Sequence, residues 1–127
     1  MGGLGLKISI DELYPGGRIV KQNETYTLID NTDLNGLIVS KTILHPLKET
    51  GGHNHEGQEE VYQFVSGKGT MVVGSEEDLL RRGLDMQFSV SPGDIILIPD
   101  GDFHKVWNTS KYEDFIFVCV FDGGRNH

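Results

Sequence analysis

Short runs of β-branched and aromatic residues, each closed by a turn, follow one another along this chain from Arg18 to Phe121. The runs at 18–20, 26–29, 37–44, 61–65, 70–73, 86–90, 95–98, 103–107 and 115–121 each have the length and composition of one strand. Residues 7–11 alternate and read as a short edge strand ahead of them. Tyr14-Pro15-Gly16-Gly17, residues 31–36 and Ser91-Pro92-Gly93-Asp94 read as turns, and Ser66-Gly67-Lys68-Gly69 as a hairpin. Many short strands at near-even spacing predict an all-β sandwich or barrel. The charged stretch 74–83 stands apart, as a short helical turn or a loop. The 17 glycines suit tight turns, and 127 residues suffice for one domain with its own core.

Composition removes several partners. The net charge is −8 and no basic stripe is visible, which argues against nucleic acid. No segment is long and apolar enough to cross a bilayer, so no membrane partner is expected. Met1-Gly2-Gly3-Leu4-Gly5 lacks the charged start and apolar run of a signal peptide, and a cytoplasmic location is the expectation. Cys119 is the one cysteine, so no internal disulfide can form, and its apolar strand marks it as a core residue. The run 115–121 is apolar on both faces, whereas a strand in a small sandwich has one wet face. Either a second subunit or the N-terminal strands must cover it, and a homodimer is the expectation.

The versatile side chains gather in two places. Gly52-His53-Asn54-His55 is followed by Glu60, and Gly93-Asp94 leads through residues 95–98 to Pro99, Gly101, His104 and Asn108. Residues two apart on a strand point the same way, so His53 and His55 can aim at one point, with His104 arriving from another strand. Glu60 adds a charged oxygen; Glu59 beside it keeps strand parity with the histidines, but Gly57 breaks the strand and resets that parity. Three imidazoles and a carboxylate suit Mn, Fe, Ni, Co or Zn. Tyr62 and Phe64 share a face with Glu60 on a regular strand, and Tyr62 offers a hydroxyl to a polar ligand. Trp107 reads as core, and His45 and His127 fall outside the set.

These segments resemble the two motifs of the cupin superfamily. The first, HxH, three or four residues, Glu, six residues, Gly, is met by His53, His55, Glu60 and Gly67. The second, Gly, five residues, Pro-x-Gly, two residues, His, three residues, Asn, is met by Gly93, Pro99, Gly101, His104 and Asn108. Leu47 stands where the family has a further glycine. The resemblance implies one double-stranded β-helix, or jelly roll, across residues 1–127, its barrel core at about 37–121 and N-terminal strands within 6–30. It also implies one divalent transition metal on His53, His55, Glu60 and His104.

Thr50-Gly51-Gly52-His53-Asn54-His55 is further similar to the T-x-G-H-x-H of cupin-type glucose-6-phosphate isomerases, although the gap from His55 to Glu60 is shorter here, and the chain also resembles the small cupins labelled mannose-6-phosphate isomerase-like. That likeness implies substrate contacts at Thr50 and Gly52, joined by Tyr62. The leading expectation is a metal-dependent isomerase or lyase acting on a sugar, sugar phosphate or sugar acid. Glu60 and Tyr62 are its candidate catalytic residues, though a ligated carboxylate is a poor base. An Fe(II) dioxygenase and a non-catalytic metal- or ligand-binding module are the alternatives.

Overall fold

Strand alternation decides which side chains reach the interior, and the register between strands decides which of them meet. The computed structural model describes residues 6–54 and 57–123. In chain order the elements are β1 (Arg18–Gln22), β2 (Tyr26–Asn31), β3 (Leu37–Leu44), β4 (Glu60–Ser66), β5 (Gly69–Gly74), α1 (Glu76–Arg82), β6 (Phe88–Val90), β7 (Ile95–Ile98), β8 (Phe103–Asn108) and β9 (Phe115–Asp122). The strands form two antiparallel sheets, one of six in the order β1-β2-β3-β9-β4-β7 and one of three in the order β6-β5-β8. This is the all-β double-stranded β-helix expected from the sequence.

The inner faces meet over an aromatic core. Phe64, Phe115 and Phe117 are each 1% exposed or less, with ring centroids 5.0–5.9 Å apart. Met71, Val90 and Val106 reach the same cluster from the smaller sheet. Each such side chain contributes about 1.5–3 kcal/mol when fully withdrawn from water.

Three local expectations are corrected. The turn at 66–69 is a corner and not a hairpin: β4 pairs with β7 and β9, while β5 pairs with β6 and β8, so the chain changes sheets there. Gly67 makes the corner possible. Its φ is +92°, and a Cβ on it would lie 2.4 Å from the Asp114 carbonyl oxygen. Residues 7–11 form no strand; the segment 6–17 is irregular. Trp107 is half-buried on the outward side of β8, with the Lys105 ammonium 5.3 Å from its ring centroid, and does not enter the core.

The segment 6–17 also reaches the outward face of the larger sheet. Register places Ile29, Lys41 and Val118 side by side on the outward face, and all three are buried. Lys41 donates through Nζ to the Asp11 carbonyl, and Leu13 is 2% exposed. This part of the outward face is therefore buried within one chain. Among the described residues, no helix is long and apolar enough to cross a membrane.

Candidate metal centre

Two strands from opposite sheets converge on one point. His104 faces inward as the second residue of β8, and residues 49–53 run antiparallel beside that strand. His53 and His104 exchange backbone hydrogen bonds, N to O at 3.2 Å and 3.0 Å. This pairing holds their rings edge to face with centroids 4.4 Å apart. Glu60 opens β4 in the larger sheet and faces inward in phase with Tyr62 and Phe64. Its Oε2 lies 3.0 Å from His104 Nε2, with Glu60 4% and His104 2% exposed.

The donor set fits a transition metal. Ligating atoms of His53, Glu60 and His104 all lie within 4.8 Å of one another. Donors held about 2.0–2.2 Å from one ion span a comparable distance. His104 Nδ1 lies 3.3 Å from the Asp102 carbonyl oxygen. In the tautomer that donates there, Nε2 presents a lone pair beside the Glu60 carboxylate, which is the polarity a cation requires. His53 is exposed, so the site is open on that side.

Beside these groups lies a cavity of about 190 Å³, smaller than the pockets that take drug-sized ligands. Its lining combines hydroxyls from Tyr26, Ser40, Thr42, Thr50 and Tyr62 with Leu28, Phe117 and Cys119, next to His53 and Glu60. Tyr62 is stacked on Phe117 at 5.3 Å and meets the His104 ring edge to face at 5.6 Å. Burial, then the neighbouring Cys119 and Glu60, push its phenol well above the ordinary value of 10.0. Burial and Glu60 likewise push the Cys119 thiol well above 9.0. Both groups hold their protons in the fold.

An unfolded chain releases these two protons at lower pH than the folded chain, so rising pH favours unfolding. The contribution is fully present below the ordinary thiol value and declines above it. The melting temperature of metal-free protein is expected to fall as pH rises from about 8.5 to 10.5. Cys119→Ala and Tyr62→Phe should each flatten that fall; equal slopes in all three proteins would contradict the assignment.

The Cupin domain family matches residues 41–121. The chain belongs to the cupin family. It is 28% identical to auxin-binding protein T85 of Nicotiana tabacum over 123 residues, which is 94% of this chain and 65% of that protein. It is 36% identical over 75 residues, 59% of this chain and 36% of that protein, to auxin-binding protein 4 of Zea mays. The chain thus spans just under two thirds of its tobacco relative. Among solved structures, a cupin-2 domain from Rhodospirillum rubrum superposes with a TM-score of 0.71 at 17% identity, covering 90% of this chain and 74% of that one. KdgF from Halomonas sp. superposes at 0.68 and 15% identity, covering 94% and 96%. At these identities the likeness is one of fold.

Within this cupin the expected site residues fall as follows. His53, Glu60 and His104 come together, and Glu59 is exposed beside them. His55 lies outside the described residues. Thr50 lines the cavity while its Oγ1 accepts from the Val106 N–H at 3.0 Å. Gly52 has φ of +73°, and a Cβ there would strike the Phe103 ring at 2.6 Å; its neighbour Gly51 lines the cavity. The motif residue Asn108 is 3% exposed, and its Nδ2 donates to the Leu44, His45 and Glu113 carbonyls at 2.9–3.1 Å, tying strand ends together. Asn54 donates to Glu76 at 3.3 Å, linking the histidine loop to α1, which closes the question of whether the charged stretch is helical.

Cys119, Ser40, Thr42 and Tyr26 were not singled out as site residues. Cys119 lines the cavity within hydrogen-bonding reach of Tyr62. The polar pair Ser40 and Thr42, two apart with Lys41 between them on the other face, is the signal that marks an inward polar face on β3.

Proposed function

We propose that this cupin holds one divalent transition metal on His53, His55, Glu60 and His104 and acts on a small polar molecule of the sugar class by isomerase- or lyase-type chemistry. The observation that supports this most is the buried Glu60–His104 pair, with His53 beside it, opening on a small cavity lined by hydroxyls. When bound, such a metal polarises a carbonyl and its adjacent hydroxyl oxygen as a Lewis acid. The chain's own residues do the rest. Tyr62, kept protonated by burial, donates a hydrogen bond to a substrate oxygen. Thr50 has a hydroxyl proton to offer at the same wall, since its oxygen serves Val106 as acceptor. Leu28 and Phe117 exclude water from the carbon skeleton.

The test is proton exchange. Metal-loaded protein incubated with a panel of aldoses in D₂O should place deuterium at the carbon next to the carbonyl, read by NMR. Tyr62→Phe should slow this by about 10²-fold, the usual loss when a positioned acid is removed. Neither exchange nor conversion of any aldose to its ketose at full metal loading would remove the isomerase reading, because a hydride shift interconverts the two without exchange. Oxygen uptake by the iron-loaded protein would replace it with the dioxygenase.

A second reading is ligand binding without turnover. It is favoured by the tobacco relative, an auxin-binding protein by name, which aligns with 94% of this chain. Saturable binding of an auxin with no exchange of any sugar would select it.

A further inference from the structure

The cavity wall farthest along the sheet from the metal residues is built by strands that the cupin motifs do not include. Register aligns Asp30, Ser40, Cys119 and Tyr62 in one row across β2, β3, β9 and β4. Ser40 therefore stands two strands from Tyr62, about 10 Å between backbones. Ser40 is 2% exposed and lines the cavity, as does Thr42, which is 5% exposed. The Ser40 hydroxyl donates to Asp30 Oδ1 at 2.6 Å, the length of a strong hydrogen bond to a carboxylate.

That bond fixes a polarity. A serine hydroxyl has one proton and two lone pairs. With its proton committed to Asp30, Ser40 Oγ faces the cavity as an acceptor. A ligand atom that satisfies it must bring an O–H or N–H. A phosphate or carboxylate placed there would set lone pair against lone pair, with the Asp30 charge immediately behind. Among the described residues that line the cavity there is no lysine or arginine to offset this.

We propose that the Asp30–Ser40 pair is the specificity determinant of this cavity and that it selects a ligand whose end remote from the metal is hydroxylated and uncharged. Thr42, one step along the same face of β3, presents a second hydroxyl to the same ligand end. This rests on the sugar-class reading above and narrows it: neutral sugars are favoured over their terminal phosphates. Asp30→Asn reverses the device. The new amide can donate to Ser40 Oγ, which frees the serine proton to point at the ligand.

The experiment is saturation-transfer NMR on zinc-loaded full chain, using neutral pentoses and hexoses and the same hexoses as 6-phosphates. Metal content is measured in every sample. Wild-type protein should bind at least one neutral sugar more tightly than its phosphate. Ser40→Ala and Asp30→Asn should each weaken that sugar by about tenfold, the worth of one well-made hydrogen bond, with metal content unchanged. Asp30→Asn, unlike Ser40→Ala, should narrow or reverse the preference against the phosphate. The two variants guard against a folding artefact, because only one of them restores a donor.

Tighter binding of the phosphate by wild type, unchanged neutral-sugar affinity in both variants, or no binding of either sugar form by metal-loaded protein would each overturn the proposal. If the protein takes up no metal but still prefers neutral sugars through Asp30 and Ser40, this inference stands and the metal reading falls.

Discussion

Loading the metal-free chain with zinc or nickel should raise its melting temperature by about 10 °C, and His53→Ala should abolish the rise. The size follows from linkage: a metal at about a hundredfold over its dissociation constant contributes about 2.7 kcal/mol, and a domain of this length gains a few degrees per kcal/mol. The choice of variant matters. His104 and Glu60 are both buried and face each other at 3.0 Å, and the His104 ring also packs against His53 and Tyr62, so His104→Ala opens a void beside a buried carboxylate and costs about 3–5 kcal/mol by itself. His53 is exposed, and its removal leaves that pair intact. Apo His53→Ala should therefore melt close to apo wild type, while metal no longer shifts it. His104→Ala should melt low with and without metal. A wild-type chain that does not respond to any of the five candidate metals, or a His53→Ala variant that responds in full, would end the metal-site proposal.

How much of this was legible before the fold was known depends on the range of the interaction. His53, Glu60 and His104 were found because their spacing repeats a known pattern, and the interior position of Glu60 over Glu59 follows from one strand's alternation with Tyr62 and Phe64. Those are local facts. Ser40, Asp30 and Cys119 join the cavity only through the pairing of β2, β3, β9 and β4, which brings together residues some ninety positions apart and leaves no local trace. The hairpin expectation at Gly67 fails for the same reason. Ser66-Gly67-Lys68-Gly69 has hairpin chemistry, and only the strand pairing on either side of it shows that the chain is turning between sheets. On the doubly apolar β9, outward Val118 is buried within the single chain beside Lys41, which reaches the Asp11 carbonyl in a segment whose irregular path carries no periodic signal.

That corner identifies the residue whose loss should cost the fold most. Phe115 is fully buried, stacked on Phe64 at 5.0 Å and edge-on to Phe117 at 5.9 Å. It also closes the corner from below. A Cβ on Gly69 would come within 2.6 Å of the Phe115 ring, so the backbone already rests against that ring with no side chain between. Close packing on all sides leaves little room for neighbours to collapse into a void, which places Phe115→Ala at about 3–5 kcal/mol. Against a total of about 5–15 kcal/mol for a domain, that is a large fraction. In urea titrations of metal-free protein the midpoint should drop steeply, while Leu80→Ala on α1, at 89% exposed, should shift stability by no more than about 0.5 kcal/mol. Phe115 is not among the cavity-lining residues, so metal should still bind whatever fraction remains folded and pull the melting temperature back up. A Phe115→Ala protein within about 1 kcal/mol of wild type would mean that the corner is held by its backbone turns and not by the ring beneath it.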